Sequence, residues 1–180
     1  MPANLTPLVV ALEAPVNPNI YVLHVRRHLT DEMAEKYNRT TMTRAPEWVQ
    51  PFFGFQPISE VHVMRHRLRF RTYKKEYDWS LFRDYLLERV VPEIFGAVDV
   101  KTLPPGPLRR SYSISARFEE PLVVEGLAVS RVHPFTRAVF ASEGVVELVC
   151  RQQELVLKRS PLYSFAELEA QLQPLLEESS

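Results

Sequence analysis

The chain has 180 residues, 46% apolar and 24% charged, with 22 basic side chains balanced by 22 acidic ones. This is an ordinary globular profile; it excludes a charge-driven, molecule-wide attraction to nucleic acid or lipid headgroups, and no run approaches the roughly 20 apolar residues of a membrane helix. The single cysteine, Cys150, excludes an intramolecular disulfide framework, and the N-terminal stretch MPANLTPLVVALEAP lacks the basic start and longer apolar core of a secretory signal, so the cytoplasm is the expected compartment.

In chain order, the apolar run Leu8 to Leu12 suits an edge strand or an arm. Asn17-Pro18-Asn19 is a turn signal, since Asn and Pro both favour turn geometry and Pro cannot donate to a ladder. Tyr21, Leu23 and Val25 then alternate with Val22 and His24 as in a strand. Residues 26–44 are polar and predict a loop, with a partial strand around Thr40–Met42. Pro46 opens a short helix carrying Trp48, Phe52 and Phe53 on one side; Pro51 keeps it short or kinks it. Two strands, 58–64 and 67–73, meet at an Arg65-His66 turn. Asp78 is placed to cap a helix whose Trp79, Phe82, Leu86, Val90 and Ile94 form one stripe. Residues 96–110, with Pro104-Pro105-Gly106-Pro107, read as a semi-rigid spacer. Beyond it Tyr112, Ile114, Ala116 and Phe118 alternate, and Ser164 with Glu167 forms a capping box for a last helix.

The segment from Ala45 to Ile94 recurs from His133 to Leu176. Pro46 matches Pro134, and Phe53 matches Phe140. Ile58, Val61 and Val63 match Val145, Leu148 and Cys150; Leu68 and Phe70 match Leu155 and Leu157; Trp79, Phe82, Leu86 and Val90 match Phe165, Leu168, Leu172 and Leu176. Apolar positions that recur while the surface diverges are the mark of two copies of one packed unit. The expected fold class is therefore α+β: two tandem small antiparallel sheets, each covered on one face by a short and a long helix in ββαββα order. The expected division is 1–95, a Pro-rich linker 96–110, and 111–180. Units this small are expected to pack on each other.

The E-x-P-x-N-P-N opening (Glu13 to Asn19), the A-P helix ending in Phe53, the Gly144-Val145-Val146-Glu147-Leu148 strand and the Trp79-led long helix resemble the N-terminal domain of NifU-like (Nfu) scaffold proteins. The resemblance covers 13–95 and, more weakly, 111–177. It implies a protein-interaction or regulatory module of iron–sulfur cluster assembly, with iron binding and a protein partner from that pathway as family expectations. In that family a second domain supplies a Cys-x-x-Cys pair. No such pair occurs here, so the cluster chemistry does not carry over.

Cys150 matches Val63 on a strand and reads as a small buried hydrophobe. H-V-x-R-H occurs twice, His24 to His28 and His62 to His66. Within a strand, residues four apart are ~13 Å apart and cannot share an ion. His24 and His62 remain candidate metal ligands only if their strands are neighbours on an open face, where a solvated histidine is the commoner finding. Arg67, Arg69 and Arg71 alternate with Leu68 and Phe70 and read as a wet basic face, the candidate partner-binding patch. The alternative function is binding of nucleic acid or an anionic ligand through the basic strand 65–75. Net neutrality and the absence of a basic strand in the second copy disfavour nucleic acid. No phosphate loop, nucleophile elbow or paired-cysteine site occurs. The reading is non-catalytic, without cofactor or resident metal, in a monomer or homodimer off the membrane.

Overall fold

In the computed structural model, which describes residues 6–32, 34–75, 77–125 and 133–178, the chain folds as α+β with two sheets. Residues 1–5, part of the stretch read for a secretory signal, lie outside that range. Among the described residues no helix is long and apolar enough to cross a membrane.

Strands β1 (Leu8–Glu13) and β2 (Ile20–Val25) are joined by the Asn-Pro-Asn turn, where Asn17 Oδ1 accepts the Asn19 N–H at 2.9 Å. β3 (Glu35–Asn38) ends because the Asn38 side chain captures the N–H groups of Thr40 and Thr41, at 2.9 and 3.0 Å. Thr40–Met42 is therefore a turn leading into a 3-10 helix at Met42–Arg44 and not the expected partial strand. A second 3-10 helix, Gln50–Gly54, seats Pro51 in its first turn, where the missing N–H has no partner to lose. β4 (Ile58–Val63) and β5 (Arg67–Thr72) follow.

The long helix is α1 (Ser80–Tyr85), a π turn (Leu86–Val90) and α2 (Val91–Phe95). Its N-cap is Trp79, one residue later than expected, and Asp78 Oδ1 accepts the Ser80 N–H at 3.0 Å from the position before it. Pro92 explains the interruption: it lacks a donor, and its ring displaces the carbonyl one turn back. The chain then adds β6 (Val98–Val100) parallel to β1, completing the order β3-β4-β5-β2-β1-β6. Leu8–Leu12 is thus an inner strand, where an edge or arm was expected. The segment expected as a spacer from 96 to 110 contributes β6 and the start of β7; the Lys101 N–H still donates to Val10 O and Leu108 O accepts the Arg159 N–H, leaving 102–107 outside the ladders. One face of the sheet packs Leu23, Val25, Leu68 and Phe70 against Phe52, Phe82 and Leu86, all fully buried.

The second half comprises β7 (Arg109–Val124), α3 (Pro134–Ala141), β8 (Val145–Arg159) and α4 (Phe165–Glu178). A straight strand of fifteen residues would span roughly 50 Å, yet the Ser160 N–H donates to Gly144 O at 2.8 Å. β8 therefore doubles back. The reversal sits at Gln152, whose φ of 51° is left-handed, within the exposed tip Arg151-Gln152-Gln153. β7 runs antiparallel to both arms: Arg109 to Ser113 pair with Lys158 to Glu154, and Phe118 to Val124 with Gln152 to Leu148. Leu148, Cys150, Leu155, Leu157, Leu168 and Leu172 are fully buried in one cluster with α3 and α4.

Candidate functional site

Register fixes the chemistry of the first sheet's second face. Ala11, His24 and Arg67 are cross-strand partners in one row; Glu13, Val22, Arg69, His62 and Lys36 form the next. Leu68 and Phe70 point into the core and Arg67, Arg69 and Arg71 away from it, as the alternation predicts. The three arginines do not form one wet patch. Arg71 is exposed beside Glu60, at 3.6 Å. Arg69 is half-buried, with Nη2 2.7 Å from His62 Nδ1. Arg67 is covered by the second half and the Pro-rich segment.

His24 and His62 are not neighbours. β5 lies between their strands, both are buried, and each has its own partner: Glu13 at 2.6 Å from His24 Nε2, and Glu60 at 3.2 Å from His62 Nε2. Burial holds both imidazoles below their ordinary pKa, with the Arg69 charge adding to the effect at His62. The juxtaposition on an open face that a shared metal needs does not occur.

The second members of the two H-V-x-R-H segments do different work. β2 and β4 run in the same direction on either side of β5, so Arg26, Arg65 and His66 emerge at one end of the sheet. There the second half docks. Arg26 donates to Leu162 O at 2.7 Å, pairs with the Glu167 carboxylate and lies 4.4 Å from the Tyr163 ring centre. Glu167 is also the capping-box carboxylate of α4, accepting the Ser164 N–H at 2.8 Å. Arg26 and Ser164 together hold its pKa down to about 2.

His66 is a buried bridge: Nδ1 donates to Arg27 O at 2.9 Å while Nε2 accepts the Gly144 N–H at 3.1 Å. These partners require the neutral Nδ1-H tautomer, and burial pushes its pKa down to about 4. Arg65 stacks 4.2 Å from the Phe140 ring centre and donates to Ser142 O at 3.3 Å, but its Nε and Nη1 are buried without partners. Burial lowers its pKa to about 10, so it stays charged at neutral pH.

Beside this contact lies a cleft of about 350 Å³ between the halves. Its polar end carries Arg67, Lys158 and the Glu13–His24 pair; its other wall is Leu103, Pro104 and Pro105 of the unpaired segment. Arg67 donates Nε to Met64 Sδ at 3.1 Å. Among the described residues neither Arg67 nor Lys158 has a carboxylate within ion-pairing distance. Both cations are held below their ordinary pKa, first by burial, then by Arg69 at Arg67 and by Arg67 and Arg109 at Lys158. Glu13, Glu125 and Glu147 oppose this from further off. Two half-buried like charges, neither ion-paired among the described residues, raise the local affinity for an anion, and the more distant carboxylates reduce that effect.

Cys150 is fully buried among apolar side chains, which push its thiol up to about 11. Comparison with protein-family models, with curated proteins and with solved structures finds no match.

Lys158 and the docking roles of Arg26, Arg65 and His66 escape sequence reasoning, because a polar residue at a turn looks solvated until something packs on it. The one available pointer was the recurrence of H-V-x-R-H itself at equivalent strand ends.

Proposed function

We propose that the chain is a non-catalytic binding module built from two copies of one unit, which takes up an anionic group in the cleft between them. The reading is carried by one observation, the placement of Arg67 and Lys158, neither ion-paired to a carboxylate among the described residues, in a cleft roomy enough for a ligand. It moves the anion-binding role from the open strand face to the part of that face which the second half covers.

The two-copy reading is supported by topology. β2 and β3 flank the β5–β4 pair, and the two arms of β7 flank the two arms of β8 in the corresponding order. The turn at Arg65-His66 then corresponds to the reversal at Gln152. The resemblance to the Nfu N-terminal domain stands in this proposal as a kinship of architecture. Its N-P-N turn holds the long helix, with Trp79 Nε1 donating to Pro18 O at 2.8 Å, and Glu13 seats His24. A protein partner in iron–sulfur assembly is part of the same proposal, without cluster ligation by this chain. Anaerobic incubation with iron and sulfide followed by desalting is expected to leave no visible chromophore; one that disappears on Cys150→Ser overturns that part.

The test of the binding role is an NMR titration with acetate at low ionic strength. Amide shifts around His24, Arg67 and Lys158 are expected to saturate, and the affinity to fall at least tenfold in Lys158→Met while persisting in Arg71→Met. Arg71→Met removes the same charge outside the cleft. Equal losses in the two variants, or no saturation, would sink the proposal.

A further inference from the structure

We propose that the preferred occupant of the cleft is an organic monocarboxylate with an apolar body, such as a short fatty or aryl-alkanoic acid; this deepens the anion-binding reading and rests on it.

Charge balance sets the head group. At the polar end two cations, Arg67 and Lys158, face one carboxylate, Glu13, which is engaged by His24 at 2.6 Å. A second carboxylate pair, Glu125 and Glu147, shares a smaller cavity of about 100 Å³ with the same Arg67 and Lys158, and Glu147 also lies 3.6 Å from Arg109. Arg159 also lines the cleft, but it donates to the carbonyls of Pro107, Ser160, Pro161 and Tyr163. With Glu13, Glu125 and Glu147 acting on the two cations, a dianion is repelled more strongly than a single negative charge placed between Arg67 and Lys158. A guanidinium with free Nη groups also matches the two oxygens of a carboxylate.

Donor supply excludes a phosphate cradle. Phosphate sites gather backbone N–H groups from glycine-rich turns or helix N-termini. Here no helix begins among the lining residues, and Pro104, Pro105 and Pro161 have no N–H to give. The same prolines, with Leu103, Leu108 and Val146, provide a solvent-accessible apolar wall on which hydrocarbon can pack.

Volume points the same way. At ~30 Å³ per water-sized group, the cleft holds on the order of ten such groups. An inorganic anion fills less than half of it and leaves the apolar wall wet. Each methylene buried there is worth about fourfold in affinity.

The experiment is calorimetry on the full chain with acetate, inorganic phosphate, 4-phenylbutyrate and 4-phenylbutanol. The expected result is that 4-phenylbutyrate binds at least tenfold tighter than acetate or phosphate. The alcohol, which keeps the body and loses the charge, is expected to be at least tenfold weaker than the acid. In Lys158→Met, a volume-conserving change at a half-exposed position, 4-phenylbutyrate is expected to lose at least tenfold. Equal binding of acetate, phosphate and 4-phenylbutyrate, all weakened by Lys158→Met, overturns this inference and leaves the anion-binding reading in place. Absence of saturable binding by any of the anions overturns both. The comparison among ligands on the wild-type chain decides the matter even where a variant fails to fold.

Discussion

At His66 two backbone groups from opposite halves meet on one imidazole, and the consequence is a pH dependence whose sign is fixed. The unfolded chain takes up a proton near the ordinary value of 6.5, whereas the folded chain resists until about 4. Stability from this residue is therefore complete above pH 6.5 and is lost as pH falls from 6.5 towards 4. At ~1.4 kcal/mol per pH unit of separation, the full loss is roughly 3 kcal/mol. His24 and His62 act in the same direction. Arg65 and His28 reinforce the shift at His66, while Glu143 opposes it. Urea midpoints recorded between pH 7.5 and 4.5 are expected to fall steeply in the wild type and much less in His66→Gln. Equal slopes would refute the bridge. On β5 the alternation makes a second prediction: Phe70→Ala should cost about 3–5 kcal/mol through the cavity it leaves. Arg69→Ala should cost about 1 kcal/mol, because His62 Nδ1 loses its donor. Equal shifts of the urea midpoint would contradict the register. That register was legible because a one-residue slip would bury guanidinium groups. What covers Arg67 was not, because it comes from residues near position 105 and beyond 140, and no local pattern encodes a docking partner.

Among the elements, the connections carry more chemistry than the strands. Arg39 donates to four carbonyls around the second 3-10 helix, those of Phe53, Phe55, Gln56 and Ile58, at 2.8 to 2.9 Å. A lysine has no fork with which to span them. Arg39→Lys is expected to lower stability by about 2–3 kcal/mol by thermal or urea unfolding, and a neutral result would mean that water replaces the fork. The reversal of β8 gives an opposite pair. Gln152→Gly relieves a left-handed residue and should raise stability by up to about 1 kcal/mol. Gly144→Ala should be clearly destabilising, because its φ is 94° and an added Cβ would lie 2.7 Å from Tyr163 Cγ. The sequence groups Val145, Leu148 and Cys150 apart from Leu155 and Leu157, and β8 reverses between these two groups, at Gln152. The parallel β6 was hidden because three residues next to a glycine and a proline-rich run carry too little periodicity to announce a strand. The π turn was hidden because it follows from Pro92 acting inside an otherwise regular stripe.

Over the whole molecule, the halves are held by few contacts of unequal quality: the His66 bridge, the Arg26–Glu167 pair and an arginine, Arg65, with two donors unsatisfied. Arg26 and Glu167 are more than a third exposed, at 35% and 42% of their side-chain surface, so solvent screening reduces their worth to about 1 kcal/mol. Glu167→Gln, which keeps the capping geometry, should cost about that much, and a loss of several kcal/mol would show the pair to be better shielded than its exposure implies. The segment 102–107, outside the ladders, has a further consequence for kinetics and dilution. Six residues reach roughly 20 Å at full extension, so when the contact opens the halves stay tethered at an effective concentration in the millimolar range or above. Closure is then unimolecular and independent of protein concentration. A single proteolytic nick within 102–107 makes it bimolecular, and the weak contact no longer holds at micromolar concentration. Nicked protein is expected to elute as two fragments on dilution and to recombine when concentrated, with the cleft present only in the recombined form.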